Sequence, residues 1–137
     1  MSNSWALDVE PLVYTIIKAK TEAKLKTKYP KIYFTNSDEL LGDTTKSHTV
    51  YIHELEPVEV GQDTNGNTIN GIISTFEVKV IVNTNKAECR DILKAIIPSF
   101  KELCFDGKKY PSIMTVSGMQ QGVARFSRII GANDKIG

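Results

Sequence analysis

The first part of the chain repeats apolar residues at the spacing of an amphipathic helix. The pattern runs from about Val9 to Tyr29, with Asp8 at the N-cap position and Pro11 in the first turn, where its missing N–H costs little. Pro30 ends the pattern. The predicted buried face of this helix consists of Val9, Leu12, Val13, Ile16, Ile17, Ala19 and Ala23.

A second helical pattern extends from about Lys86 to Phe105. Asn85 is the predicted N-cap, and Glu88, three residues later, completes the pattern of a capping box. Pro98 lies inside the pattern and removes one backbone hydrogen bond, so we expect a kink rather than two separate helices. The predicted apolar face is formed by Cys89, Ile92, Leu93, Ile96, Ile97, Phe100, Leu103 and Cys104.

Between the two helices, the pattern alternates with the period of β-strands. Lys31–Thr35 predicts a short strand, and the polar stretch Asn36–Ser47 predicts a loop. Thr49–Val60 and Ile72–Asn83 then predict the two arms of a long hairpin, with its tip at Gly61–Asn70.

The second arm of this hairpin has one apolar and one polar face, as in a strand that is buried on one side. In the first arm Leu55 falls out of register, which predicts a bulge or bend near His53–Pro57. The predicted buried face of the second arm is Ile72, Phe76, Val78, Val80 and Val82, and its predicted solvent face is Thr75, Glu77, Lys79 and Asn83.

Two further strand patterns, Tyr110–Val116 and Val123–Ile130, end the chain, joined by a predicted loop at Ser117–Gly122. The sequence therefore predicts the α+β class, with a mainly antiparallel sheet and the order α-β-β-β-α-β-β. We expect both helices to pack on one face of the sheet. Residues 1–137 are predicted to form a single domain, with flexible ends at 1–7 and 132–137.

Composition narrows the function classes. The 137 residues are 41% apolar and 24% charged, which argues against a disordered or coiled-coil protein. No apolar run approaches the ~20 residues that a membrane-spanning helix needs, and Met1–Ser4 does not resemble the start of a signal peptide. A net charge of +1 argues against a strongly basic nucleic-acid-binding protein.

The charges are nevertheless unevenly distributed along the chain. Lys18–Lys31 holds six lysines and one acid, whereas Thr49–Val78 holds five acids and no lysine or arginine. Gly107–Gly137 is again basic. Two interpretations stay open: these are solvated faces or contacts within the chain, or an acidic edge of one subunit meets a basic edge of the next.

The residues that usually carry catalysis or bind metals are few. His48 and His53 lie on opposite faces of one predicted strand, so we expect surface residues rather than a metal pair. Cys89 and Cys104 are roughly 22 Å apart along the predicted second helix, too far for a disulfide. We expect both cysteines to be small buried apolar residues.

Other weak signals are also better explained without a site. Glu54 and Glu56 share a strand face, but nothing completes a carboxylate pair, and a solvated face is expected. Asp63, Asn65 and Asn67 alternate as in a calcium loop that lacks its later ligands. We predict no catalytic residue, no cofactor and no metal ion. Arg125 and Arg128 flank Phe126, which suits either phosphate contacts with base stacking or pairing with a neighbouring strand.

Three segments carry a resemblance to a known family. They are the first helix leading into a strand after Tyr29-Pro30, the strand Ile73–Val82 with a helix directly after it at Asn85, and the terminal strand Val123–Gly131. In this order, over roughly residues 9–131, the chain resembles the tail terminator family of long-tailed bacteriophages.

The resemblance implies a structural virion protein rather than an enzyme. Proteins of this family cap the finished tail tube as a hexameric ring and join it to the head connector. The implied partners are therefore other copies of the chain, the tail tube protein and the connector protein. Genome DNA would pass through the ring without sequence-specific binding, and no membrane would be involved. The implied location is the tail or neck of the virion, after assembly in the host cytoplasm.

Together with the charge distribution, the resemblance suggests two sets of site residues. We expect an interface between subunits in which the acidic arm of one copy meets the basic strand of the next. We expect the hairpin tip to dock on the tube or to line the lumen. The interface residues are Glu54, Glu56, Glu59, Arg125 and Arg128, and the tip residues are Gln62, Asp63, Asn65 and Asn67.

Two alternatives remain at this point. One is another phage or prophage component of the head-tail connector or of tail assembly, with a similar α+β fold. The other is a small cytosolic binding module or enzyme, which a well-formed apolar pocket with perturbed titratable groups would favour.

Overall fold

A six-stranded mixed sheet with two helices on one face forms the protein, as seen in a computed structural model that describes residues 4–37, 47–62, 69–131, 134 and 136. The predicted α+β class is confirmed. The elements are a 3-10 helix at Ser4–Asp8, α1 at Val9–Leu25, β1 at Tyr33–Thr35, β2 at His48–Glu54, β3 at Val58–Gln62, β4 at Ile69–Val82, α2 at Lys86–Glu102, β5 at Asp106–Val116 and β6 at Met119–Gly131.

The strand order is β1-β2-β4-β6-β5, and among the described strands only the β1–β2 pair is parallel. The predicted first arm of the hairpin is divided into β2 and β3, which both pair with β4. Four residue steps from Glu54 to Val58 oppose three steps of β4, from Phe76 to Ile73. The predicted irregularity is thus confirmed as one extra residue in the first arm.

The helix face of the sheet forms the core with α1 and α2. All five apolar residues predicted for the buried face of β4 are buried. In α1 the buried stripe is narrower than predicted, because the buried residues recur at every fourth position and Leu12 is 45% exposed. The helix also ends at Leu25 rather than near Tyr29, whose N–H donates to the Leu25 carbonyl in a closing turn. The buried positions are Val9, Val13, Ile17, Thr21 and Leu25.

Four phenylalanines fix α2 on the sheet. Phe100 of α2 stacks on Phe126 of β6, with ring centroids 4.4 Å apart and planes 5° from parallel. Phe105 meets both Phe76 and Phe100 edge-on, at interplanar angles of 84° and 82°. All four rings are buried, and their arrangement uses the two favoured geometries of aromatic pairs.

The start of α2 confirms one prediction, and its end corrects another. Asn85 caps the helix, because its side chain accepts a hydrogen bond from the Glu88 N–H (2.9 Å), and Pro98 lies inside one continuous helix. The predicted burial of Cys104 is wrong: α2 ends at Glu102, and Cys104 is exposed with a φ of 67°. This left-handed residue lets the chain reverse and brings Phe105 back into the core.

The predicted loop between β5 and β6 is also wrong. A two-residue turn joins the strands, and both of its residues, Ser117 and Gly118, have positive φ, as in type I′ hairpin turns. Gly122 lies within β6, at a point where α2 passes so close that a side chain would not fit. A Cβ added there would lie 2.6 Å from Leu93 Cδ1. The sequence marks this glycine as a turn residue, whereas its role is close helix–sheet packing.

Parts of the predicted loop and ends lie outside the described residues, namely 38–46, 1–3 and most of 132–137. Within the predicted N-terminal flexible end, Ser4–Asp8 forms the 3-10 helix, and Trp5 and Ala6 pack against the core. Ile136 near the other end packs there too.

Replacing Phe100 with alanine should lower the free energy of unfolding by about 3–5 kcal/mol, because it removes a fully buried ring and its aromatic contacts. Urea unfolding followed by circular dichroism measures this loss. Leu7→Ala is the control, since Leu7 is 80% exposed and should change stability by less than about 0.5 kcal/mol. A loss below about 1 kcal/mol for Phe100→Ala would contradict the aromatic cluster as the anchor of α2.

Candidate functional site

The three acidic residues predicted for an interface follow one another along the β2–β3 arm. Glu54, the last residue of β2, is half-buried on the helix face, where it accepts a hydrogen bond from Ser74 Oγ at 2.5 Å. Its burial, and to a smaller extent the charge of Glu10, raises the pKa of Glu54. Glu56 and Glu59 are exposed.

The two predicted basic partners lie on opposite faces of the sheet, because they are three residues apart on β6. On the face away from the helices, which we call the open face, Arg125 contacts Glu77 through Nε and Nη2, each 2.8 Å from Oε2. On the helix face, Arg128 Nη1 donates to the Leu103 carbonyl at 2.9 Å. The structure therefore does not bring the two arginines together, and each contacts a group of its own chain.

The predicted tip residues are only partly described. Gln62 is the last residue of β3, opposite Ile69 of β4. Asp63, Asn65 and Asn67 lie outside the described residues.

The open face holds a polar cluster that the sequence pattern did not reveal. Glu77 was predicted on the solvent face, but its side chain is only 8% exposed. Besides Arg125, His53 Nε2 lies 3.5 Å and Lys79 Nζ 3.8 Å from Glu77 Oε1. The His53 ring also stacks on Tyr51, with centroids 4.3 Å apart. This is a cross-strand charge cluster, because His53, Glu77 and Arg125 are in register on three neighbouring strands.

His48 is buried rather than on the surface, so the prediction for this histidine is wrong, although it does lie on the opposite face from His53. Its Nε2 is 2.9 Å from Glu88 Oε1, and its ring is 4.8 Å from that of Tyr29. A hydrogen bond from Thr84, and to a smaller extent one from His48, lowers the pKa of Glu88. Because Glu88 lies in the first turn of α2 and His48 begins β2, the contact holds the helix on the sheet.

A neighbouring acid completes this polar network at the start of α2. Asp91 Oδ2 accepts hydrogen bonds from Tyr29 OH at 2.8 Å and from Lys28 Nζ at 2.9 Å. Both hydrogen bonds lower the pKa of Asp91, and the bond from Lys28 has the larger effect. The network thus links α2 to the turn that closes α1.

The described residues hold no group of three or more His, Cys, Asp or Glu side chains that would bind a metal ion. A cleft of about 370 Å³ lies between α2 and β5, and we call it the α2–β5 cleft. Among the described residues of its lining there is no carboxylate, histidine, cysteine or hydroxyl group, and the Lys94 amine is the one group there that could act as an acid, a base or a nucleophile. The residues around it are Arg90, Leu93, Lys94, Ile97, Pro111 and Ile113.

Within the described residues, neither helix is both long enough and apolar enough to cross a lipid bilayer. No protein-family model matches this sequence, and a search among curated proteins finds no match either.

A double-mutant cycle with Glu77→Gln and Arg125→Gln should give a coupling of about 1–2 kcal/mol, because the carboxylate is buried while the guanidinium is half-exposed. Urea unfolding of the four proteins measures it. The matched cycle with Lys79→Gln should give less than about 0.5 kcal/mol, since that ammonium lies 3.8 Å away. Equal coupling energies in the two cycles would contradict this prediction, because they would not depend on the distance of each cation from the Glu77 carboxylate.

Asp91 and Glu54 should change the free energy of unfolding in opposite directions as the pH rises. The pKa of Asp91 is lowered, so its stabilisation is present above about pH 4 and is lost as the pH falls through its folded pKa. Asp91→Asn should therefore be less stable than wild type at pH 7, and the gap should close at low pH.

The pKa of Glu54 is raised, so its contribution is present at low pH and is lost as the pH rises through the folded pKa. Glu54→Gln should accordingly be more stable than wild type at pH 7 and similar to it at acid pH. Thermal unfolding between pH 3 and pH 7 in steps of about half a unit measures both gaps. If both variants were more stable than wild type at pH 7, or both less stable, the opposite pKa shifts of Asp91 and Glu54 would be contradicted.

Proposed function

We propose that this protein is a structural component of a bacteriophage virion, which assembles into a ring, caps the tail tube and joins it to the head connector. The resemblance of residues 9–131 to tail terminators suggests this role. The structural observation that carries the proposal is the open face of the sheet: no helix of the described residues covers it, and it exposes large apolar side chains.

The exposed apolar residues on the open face lie at its two ends. Val58, Ile73 and Ile129 are in register on three strands, and Val58 is 57% and Ile129 66% exposed. Met114 and Val116, 56% and 42% exposed, lie near the β5–β6 turn. Exposed apolar side chains grouped on one face are typical of a protein interaction surface. In the proposed role, Ile73, Ile129, Met114 and Val116 of this face dock on the tube or the connector, whereas Val58 lies on β3, at the side of the sheet where subunits join.

The edges of the sheet suit the joining of subunits. The exposed acids Glu56 and Glu59 lie at the β3 side of the sheet, and Lys108 is exposed on β5 at the other side. Unlike charges on opposite sides of one molecule favour a head-to-tail contact, which closes into a ring if the rotation allows it. Because Arg125 and Arg128 contact groups of their own chain, we assign the basic side of the interface mainly to other residues.

The proposed role is mechanical, with no catalytic step, cofactor or metal ion. The proposed partners are five further copies of the chain, the tail tube protein and the head connector protein, within the neck of the virion. The hairpin tip, which begins at Gln62, remains a proposed docking or lumen loop. Genome DNA would pass through the lumen without sequence-specific contacts, which agrees with a net charge of +1.

The test is assembly and docking. Light scattering after size exclusion should show a 15.2 kDa chain entering a species of about six times that mass as concentration rises, and electron microscopy should show rings. Purified tail tubes should bind the protein in co-sedimentation. Ile129→Glu should reduce tube binding at least about tenfold but leave ring formation unchanged, because it places a charge on the open face.

Leu7→Glu is the matched control, since Leu7 is exposed outside the sheet and its substitution should change neither measurement. A protein that stays monomeric at all concentrations and does not bind tubes would overturn the proposal.

A further inference from the structure

The α2–β5 cleft combines an apolar floor with positive charge at its side. Leu93 and Ile97 of α2 face Pro111 and Ile113 of β5 across it. Arg90 and Lys94 lie one helical turn apart beside it, and both are exposed. No ion pair joins either cation to another described residue. The chemistry that fits such a cleft is an extended segment with one apolar side chain between two acids.

This chain presents a segment of that composition between the end of β2 and the start of β3, whose first two residues pair with β4. The segment Glu56-Pro57-Val58-Glu59, which we call the acidic segment, is exposed at all four positions. Val58, the apolar residue between the two acids, is 57% exposed. The extra residue of the bulge displaces the chain here, and bulges commonly redirect side chains at sheet edges.

The acidic segment cannot reach the cleft of its own molecule. β3 lies on the same side of β4 as β2, whereas β5 lies beyond β6 on the other side. Strands in a sheet are about 4.8 Å apart, so two intervening strands separate the acidic segment from the cleft. A contact between them therefore joins two different surfaces of two copies, and its repetition gives a ring or a filament.

We propose that the acidic segment of one copy occupies the α2–β5 cleft of the next. Val58 packs on the apolar floor, and Glu56 and Glu59 lie beside Arg90 and Lys94. The inference deepens the proposed ring and rests on it for the closure of the contact. The cleft, rather than Arg125 or Arg128, is then the basic side of the interface.

Charge reversal with complementation tests the proposal. In variant A, Arg90→Glu and Lys94→Glu reverse the cleft, and in variant B, Glu56→Lys and Glu59→Lys reverse the acidic segment. All four side chains are exposed, so circular dichroism and thermal unfolding should show both variants folded. Each variant alone should associate at least about 100-fold more weakly than wild type in light scattering, because like charges then meet at the contact.

Mixing A with B in equal amounts should restore association, since every cleft then meets a segment of opposite charge. Lys101→Glu with Lys26→Glu is the matched control, as these exposed lysines lie outside the cleft, and it should associate like wild type. The proposal is overturned if A and B associate normally, if their mixture does not recover, or if wild type is monomeric.

The outcomes separate this contact from the function. Rings by electron microscopy in wild type, A and B alike would overturn the contact and leave the proposed function standing. A different outcome is that association is lost in A and B and recovers in their mixture, while wild type forms open filaments instead of rings. That outcome would support the contact and contradict the ring.

Discussion

The stacking of Phe100 on Phe126 is the interaction on which the remaining structure depends. It holds α2 on the sheet, and the close approach of α2 to Gly122 is possible only because β6 has no side chain there. The same placement aligns the helix start with His48 and opens the cleft between α2 and β5. The polar network and the proposed interface thus both follow from how one helix lies on two strands.

Most of the fold could be predicted, because it depends on local patterns. The apolar alternation of β4, the Asn85 cap and the out-of-register Leu55 each have a short-range physical cause, and each prediction is confirmed. The errors arose where a residue's role depends on contacts far away in sequence. The sequence around Gly122 suggests a turn, but the glycine is needed because α2 packs closely on β6 there. Cys104 fits the apolar arc of a longer helix, but the helix ends before it and the chain reverses to bury Phe105.

The candidate site was harder to predict than the fold, because a charge map along the sequence does not show which charges already have partners. Arg125 belongs to the basic C-terminal segment, yet it lies opposite Glu77 in the sheet and contacts it. Glu77 in turn belongs to the acidic stretch Thr49–Val78 of the sequence, but its side chain is only 8% exposed. Register across strands, which periodicity within one strand cannot reveal, decides which charges are exposed. Arg90 and Lys94 gave no sequence signal, since two cations on a helix are ordinarily solvated.

The two thiols differ in a way that makes the chain easy to label. Cys89 is fully buried, and burial raises its pKa to about 11, whereas Cys104 is exposed in the turn after α2. Because the thiolate is the reactive form, an alkylating dye at neutral pH should modify Cys104 and spare Cys89. The native protein therefore carries one addressable reporter position per chain. In a closed symmetric assembly, such reporters would stand at equal spacing, so energy transfer between them would count the subunits.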